Sequence, residues 1–237
     1  MPPRNAATEP APSENATSWR ELAVARSLDP ARARAEKRVQ RFVDAALDLM
    51  QTAPDKEFTV QEVVERSGQS LRSFYQYFAG KHELLLALFE ESVRSTAEQL
   101  RTLIAEEKTP QDRLHRFATE YFLICRPSAK GRPAKNRPPT PAMAEFAQQL
   151  LTSHPDEASR AFGPLVVLLS ELLDEAEKAG AVRPGLLHAR IAGVVLQAIM
   201  FNAFATTISG ASGRQSGEAA AEELWDVIFH GIGVSRT

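Results

Sequence analysis

Between Phe58 and Leu84 the sequence gathers side chains suited to holding a polyanion. Arg72 carries a planar fork of donors that fits guanine O6 and N7 through two hydrogen bonds, with about 1–3 kcal/mol of discrimination against a wrong base. Ser70 and Ser73 bring small hydroxyls to a helix start, where phosphate oxygens are favoured. Tyr75 and Tyr77 add phenolic hydroxyls and Lys81 a point charge for the same oxygens. Tyr75 and Tyr77 stand two apart, so they cannot share one helix face. Phe74 and Phe78 stand four apart, so they can, and they form an inward apolar stripe.

Such contacts need rigid elements beneath them. Thr59 followed by Glu62 is a capping-box pattern opening a short helix, which Val60, Val63 and Val64 make apolar on one side. Gly68 fits the positive-φ position that ends it, between Ser67 and Gln69. Ser70 caps a second short helix running to about Phe78, and Ala79-Gly80 breaks the chain again. Upstream, Val39, Phe42, Val43, Ala46, Leu47 and Met50 recur at three- and four-residue spacing, the stripe of a buried helix face. Two short helices joined by a glycine turn and buttressed on either side have the helix-turn-helix layout, whose second helix enters a major groove.

SGQSLRSFYQYFAGKHELL resembles the end of the TetR-family signature. Thr59, Gly68, Ser70, Tyr75, Tyr77, Phe78, Lys81 and Leu84 match its spaced positions, and the resemblance covers about residues 40–90. The chain departs from the pattern at Gln69, where an apolar residue is usual, at Arg72, often a small residue, and at His82, often an acid. The resemblance implies a DNA-binding head on a helical body that binds a small molecule and forms a homodimer through its last two long helices. The residues expected to meet DNA are Arg38, Thr59, Gln69, Ser70, Arg72, Ser73, Tyr75, Tyr77 and Lys81.

Composition sets the frame. The 237 residues are 43% hydrophobic and only 7% aromatic, with abundant alanine, which favours packed helices over sheets. The net charge of −2 excludes a uniformly basic coat, so any grip on DNA must be local. From Arg26 to Arg41, six basic residues face two acids, a candidate arm for a DNA backbone or minor groove as well as an ordinary solvated helix face. A second basic tract, Arg126 to Arg137, contains Lys130-Gly131-Arg132-Pro133, which resembles an AT-hook core; residues 127–139, with four prolines and a glycine, read as a loop. Cys125 is a single thiol and reads as a small apolar helix residue. The first 18 residues lack an apolar run, and Ile191 to Ile208 is interrupted by Gln197 and Asn202, so neither a leader nor a membrane span is expected and the location expected is cytoplasmic.

The expected fold is all-α. Residues 1–28 are expected as a disordered, basic extension, 29–84 as the helix-turn-helix domain and 85–237 as the ligand-binding and dimerisation body. Pro30 is expected to interrupt the first helix, with Asp29 as its N-cap. Later helices are expected over about 81–107, 110–126, 141–153, 156–179, 184–209 and 217–233. Inward positions of the middle helices (Phe117, Tyr121, Phe146, Leu150, Phe162, Leu165, Val166, Leu169, Phe201) are the candidate lining for an apolar or amphipathic effector. Ile191, Val195, Ile199, Trp225, Ile228 and Phe229 are the candidate dimer face.

No enzyme is expected, and no cofactor. The five histidines (His82, His115, His154, His188, His230) are scattered, with no two at ligand spacing on one helix, so no metal is expected either. Phosphate-cradling loops and nucleophile motifs are missing. The partners expected are palindromic double-stranded DNA, a small-molecule effector and a second copy of the chain, and no membrane. The other class open at this point is a helical adaptor that binds proteins and not DNA.

Overall fold

The computed structural model describes residues 19–53, 56–126, 141–204 and 216–233. These are arranged as α1 (Trp19–Thr52), α2 (Val60–Ser67), α3 (Leu71–Tyr77), α4 (Lys81–Ile104), α5 (Pro110–Cys125), α6 (Pro141–Ser153), α7 (Pro155–Lys178), α8 (His188–Phe204) and α9 (Gly217–Ile232). Among the described residues the only β pairing is the isolated bridge Val182–Gly233. The expected all-α fold is observed. No described helix is long and apolar enough to cross a membrane. Residues 1–17 and the tract from Lys130 to Arg137 lie outside the described residues.

The chain forms two compact units, Met1–Arg41 and Phe42–Thr237. In the first, α1 runs through Pro30 without the expected interruption, and Asp29 is an interior helical residue rather than a cap. Proline removes one backbone hydrogen bond. The alanines around it (Ala23, Ala25, Ala31, Ala33, Ala35) are the strongest helix formers and carry the helix past the gap. Arg32 pairs with Glu36 one turn on, at 2.9 Å.

In the second unit, α1 contributes buried Phe42, Val43, Ala46 and Met50, while Leu47 at the stripe's edge stays partly exposed. Phe42 meets Phe74 edge-to-face, ring centres 5.4 Å apart, and Phe78 likewise at 6.2 Å. Phe74 and Phe78 lie 5.4 Å apart on the inner side of α3. In the body, α4 packs on α5, α6 and α7; α5 packs on α7, α8 and α9; and α7 packs on α8. Helix α8 begins at His188, four residues later than expected, because Gly185 turns the chain at φ 84°. The Glu177 carboxylate holds that turn, accepting from Gly185 N at 3.1 Å and from His188 Nε2 at 2.6 Å. Arg183 N donates to Ile232 O at 3.0 Å and ties the end of α9 to the same turn.

Because Phe42 is fully buried, Phe42→Ala is expected to destabilise the protein by about 3–5 kcal/mol in urea unfolding. A loss well below about 1 kcal/mol would show that the aromatic contacts do not hold α3 in place.

Candidate nucleic-acid interface

The local signals upstream of α3 act as the sequence predicts. Thr59 Oγ1 accepts from Glu62 N at 3.2 Å, and Glu62 Oε2 accepts from Thr59 N at 2.8 Å, completing the capping box of α2. Lys56 Nζ donates to Glu62 Oε1 at 2.7 Å. The bond from Lys56, then those from Thr59, hold the Glu62 carboxyl down at about 2. Gly68 ends α2 in the left-handed region at φ 63°. Ser70 then caps α3, its Oγ accepting from Ser73 N at 3.1 Å.

With Phe74 and Phe78 turned inward, α3 presents Leu71, Arg72, Tyr75 and Gln76 to solvent. Tyr75 is 56% exposed, its ring edge held 5.4 Å from Phe74. Arg72 has no ion-pair partner among the described residues. Tyr77 is half-buried. Lys81 lies 5.0 Å over the Phe58 ring and pairs with Glu57 at 3.0 Å, so a phosphate must compete with that carboxylate. Arg38 is exposed on α1, in the other unit.

Three expected contact residues have polar atoms that are engaged locally or turned inward. The Thr59 hydroxyl is occupied by the capping box. Gln69 Nε2 and Ser73 Oγ are buried and unpaired, so neither reaches outward as placed. Gln69 fills the inward position between the short helices that an apolar residue usually takes, and its amide goes in with it.

The profile for bacterial regulatory proteins of the tetR family matches residues 42–88, the end of α1 through the start of α4. Residues 42–88 are thus similar to the head of that family. The fold also has likenesses among solved structures. It is similar to the transcriptional regulator FadR from Bacillus subtilis in complex with stearoyl-CoA, with a TM-score of 0.59 at 18% identity over 81% of this chain and 98% of that one. It is similar to the Thermus thermophilus FadR, a TetR-family transcriptional repressor in complex with lauroyl-CoA, with a TM-score of 0.59 at 19% identity over 84% and 97%. A TetR/AcrR-family regulator from Thermobifida fusca YX-ER1 aligns with a TM-score of 0.58 at 16% identity over 83% and 98%. No curated protein sequence matches significantly.

Behind the head, the body holds a cavity of about 50 Å³. Its walls come from α4 (Phe89, Val93), α5 (Tyr121, Cys125), α6 (Met143) and α7 and α8 (Phe162, Leu165, Met200), among others. Tyr121, Phe162 and Leu165 were expected there. Phe117, Phe146, Leu150 and Leu169 are buried elsewhere in the core, Val166 is half-buried, and Phe201 is 40% exposed. Helical period shows which side chains turn inward but not which of them border a gap. Burial pushes the Cys125 thiol up to about 12 and the Tyr121 phenol well above its ordinary value, so both stay protonated.

The expected dimer face divides. Val195, Ile199 and Trp225 are buried within the chain's own core, while Ile191, Ile228 and Phe229 are half-exposed. The most exposed apolar positions on these two helices are Val194 on α8, 58% exposed, and Val227 on α9, 69% exposed.

One grouping has no counterpart in the sequence spacing. His82 Nε2 lies 2.7 Å from Glu157 Oε2, and His154 Nδ1 lies 3.9 Å from the same oxygen.

A depressed carboxyl stabilises the fold above its ordinary value of 4.5, and that stability is lost as pH falls toward about 2. Glu62→Gln keeps a cap acceptor but does not titrate. Acid unfolding of the unaltered protein is therefore expected to steepen between pH 4.5 and about 2 relative to Glu62→Gln. Parallel acid profiles would remove the capping box from the account of head stability.

Proposed function

We propose that this chain is a homodimeric transcriptional repressor. Each head lays α3 in one of two successive major grooves of a palindromic operator, with Arg72 reading a base and Tyr75, Tyr77, Ser70 and Lys81 meeting the backbone. The observation that carries this reading is the outer face of α3: Arg72 unpaired and Tyr75 exposed, on a capped helix seated by Phe74 and Phe78. The exposed cations Arg34, Lys37, Arg38 and Arg41 add sequence-independent contacts. An adaptor that binds only proteins gives no reason for an unpaired arginine on the helix that a glycine turn and a serine cap hold outward.

The effector is an apolar or amphipathic molecule with a long chain. The cavity walls support this, and the acyl-CoA molecules held by the two FadR structures support the same class. At about 50 Å³ the cavity is far below the roughly 300–1,000 Å³ of ordinary ligand pockets, so a ligand has to part the helices to enter. Helix α4 runs from beside the head at Lys81 to the cavity wall at Phe89 and Val93, so parting the helices moves the head. Ligand binding then favours a spacing of the two heads that no longer matches the grooves.

Dimerisation uses the outer apolar positions of α8 and α9 (Ile191, Val194, Leu224, Val227, Ile228) packed across a twofold axis as a four-helix interface. Val194→Glu with Val227→Glu is expected to reduce the mass in light scattering from twice 26.1 kDa to 26.1 kDa. A monomer mass for the unaltered chain at micromolar concentration would refute the interface.

DNA reading is tested with duplex from upstream of the protein's own gene. Arg72→Ala is expected to weaken binding about 10- to 100-fold on that site and little on random duplex. Lys81→Ala should weaken all duplexes alike and lower the salt slope by about one. If the unaltered protein prefers the site no more than random DNA, the proposal fails. Equal weakening of every duplex by Arg72→Ala makes Arg72 a phosphate contact instead.

A further inference from the structure

We propose that His82, His154 and Glu157 form a binding site for a divalent transition-metal ion of the zinc class. Their donor atoms all lie within 4.8 Å of one another. In a tetrahedron with metal–ligand bonds of about 2.05 Å, ligand atoms stand about 3.3 Å apart. The distances of 2.7 and 3.9 Å to the shared Glu157 oxygen bracket that value.

The donor chemistry selects the ion. Two imidazoles and one carboxylate match the three-ligand zinc site that leaves a fourth position open, whereas magnesium and calcium prefer oxygen donors alone. The side chains are 40%, 42% and 32% exposed, enough for an ion to enter and a water to complete the shell.

The surroundings frame the cluster without occupying its donors. His82 is the second residue of α4, and His154 and Glu157 sit at the N-cap and in the first turn of α7. Two helix starts therefore carry the cluster, and the positive end of α7 favours the Glu157 carboxylate. The imidazole rings stand 4.6 Å apart, so both reach the same point beside Glu157. The side chain of His154 caps nothing at the start of α7, so it is not held for a structural task there. The nearby cation Arg160 is engaged by Glu90 at 3.2 Å. The Phe146 ring, centred 5.5 Å from His82, closes one side with apolar surface. Because α4 and α7 are densely packed on each other, a bound ion would fasten the first turn of α4, one residue beyond Lys81, to the first turn of α7.

The test uses the full-length, untagged protein after chelator treatment. Titration with zinc against a chromophoric competitor is expected to show one ion per chain, and the ion should raise the melting temperature. His82→Ala, His154→Ala and Glu157→Gln should each weaken binding at least about tenfold, the lower limit for losing even an outer-shell partner, and each should abolish the thermal shift. No zinc binding by the unaltered chain, or binding unchanged in all three variants, overturns the proposal. Should a variant fail to fold, cobalt(II) on the unaltered chain decides. It is expected to displace the imidazole proton resonances of His82 and His154, and displacement of other histidines in place of these two overturns the site. The outcome is independent of DNA binding, so it fails or stands apart from the repressor reading.

Discussion

The head depends on the seating of Phe74 and Phe78 against Phe42. Helix α3 has only seven residues, and a helix that short does not persist in water by propensity. Its two phenylalanines must be buried, and their four-residue spacing gives them one side of the helix. The 3.6-residue period then leaves no choice about what faces outward: Leu71, Arg72, Tyr75 and Gln76. Gly68 and Ser70 set where the helix starts, but the aromatic contact sets its rotation. A rotation of one residue would bury Tyr75 and expose Phe74, so the chemistry of the surface is fixed by packing beneath it.

Helix α4 extends this constraint into the body. It is continuous over 24 residues, so a displacement at Phe89 or Val93 cannot be absorbed by a hinge before it reaches Lys81. The cavity lies between α4, α5, α6, α7 and α8, so its walls are shared by most of the body's helices. Close-packed interiors respond to an intruding group by moving whole elements, because side chains already fill the available space. A small cavity is therefore a better site for a switch than a large one: a ligand that fitted without displacing α4 would have nothing to transmit.

How much of this was legible in the sequence follows from the range of each signal. The capping box at Thr59 and Glu62, the glycine at position 68, the serine cap and the Phe74–Phe78 spacing all act within four residues, and each does in the structure what its spacing implies. The helix boundaries of α2 to α7 were legible for the same reason. The misses are long-range. Val195, Ile199 and Trp225 have the apolar character of an interface, yet α8 and α9 turn them toward α5 and α7, and only the packing of those helices decides which apolar stripe is left outside. Ser73 reads as an outward hydroxyl because its polarity suggests it, but its place one residue before Phe74 lets the core reach it. His82 and Glu157 are 75 residues apart, and a search for two histidines on one helix passes over a pair that belongs to two helix starts.

The charges of the head sharpen where binding energy can come from. With a net charge of −2 the chain has no global field to hold DNA. Within the head, Lys56 is paired with Glu62, Arg66 with Asp48 and Lys81 with Glu57. Each pair is at least partly exposed, so each adds little to stability, but each has to be broken or shared before its cation can serve a phosphate. Arg72 has no such competitor. Neither, among the described residues, do Arg34, Lys37, Arg38 and Arg41 on α1. Free charge thus lies in two parts of the sequence: the motif holds one free arginine on a rigid helix, and the basic segment before it holds four free cations. In the proposed reading the first would serve base discrimination and the second salt-dependent affinity, so the two properties can be altered separately.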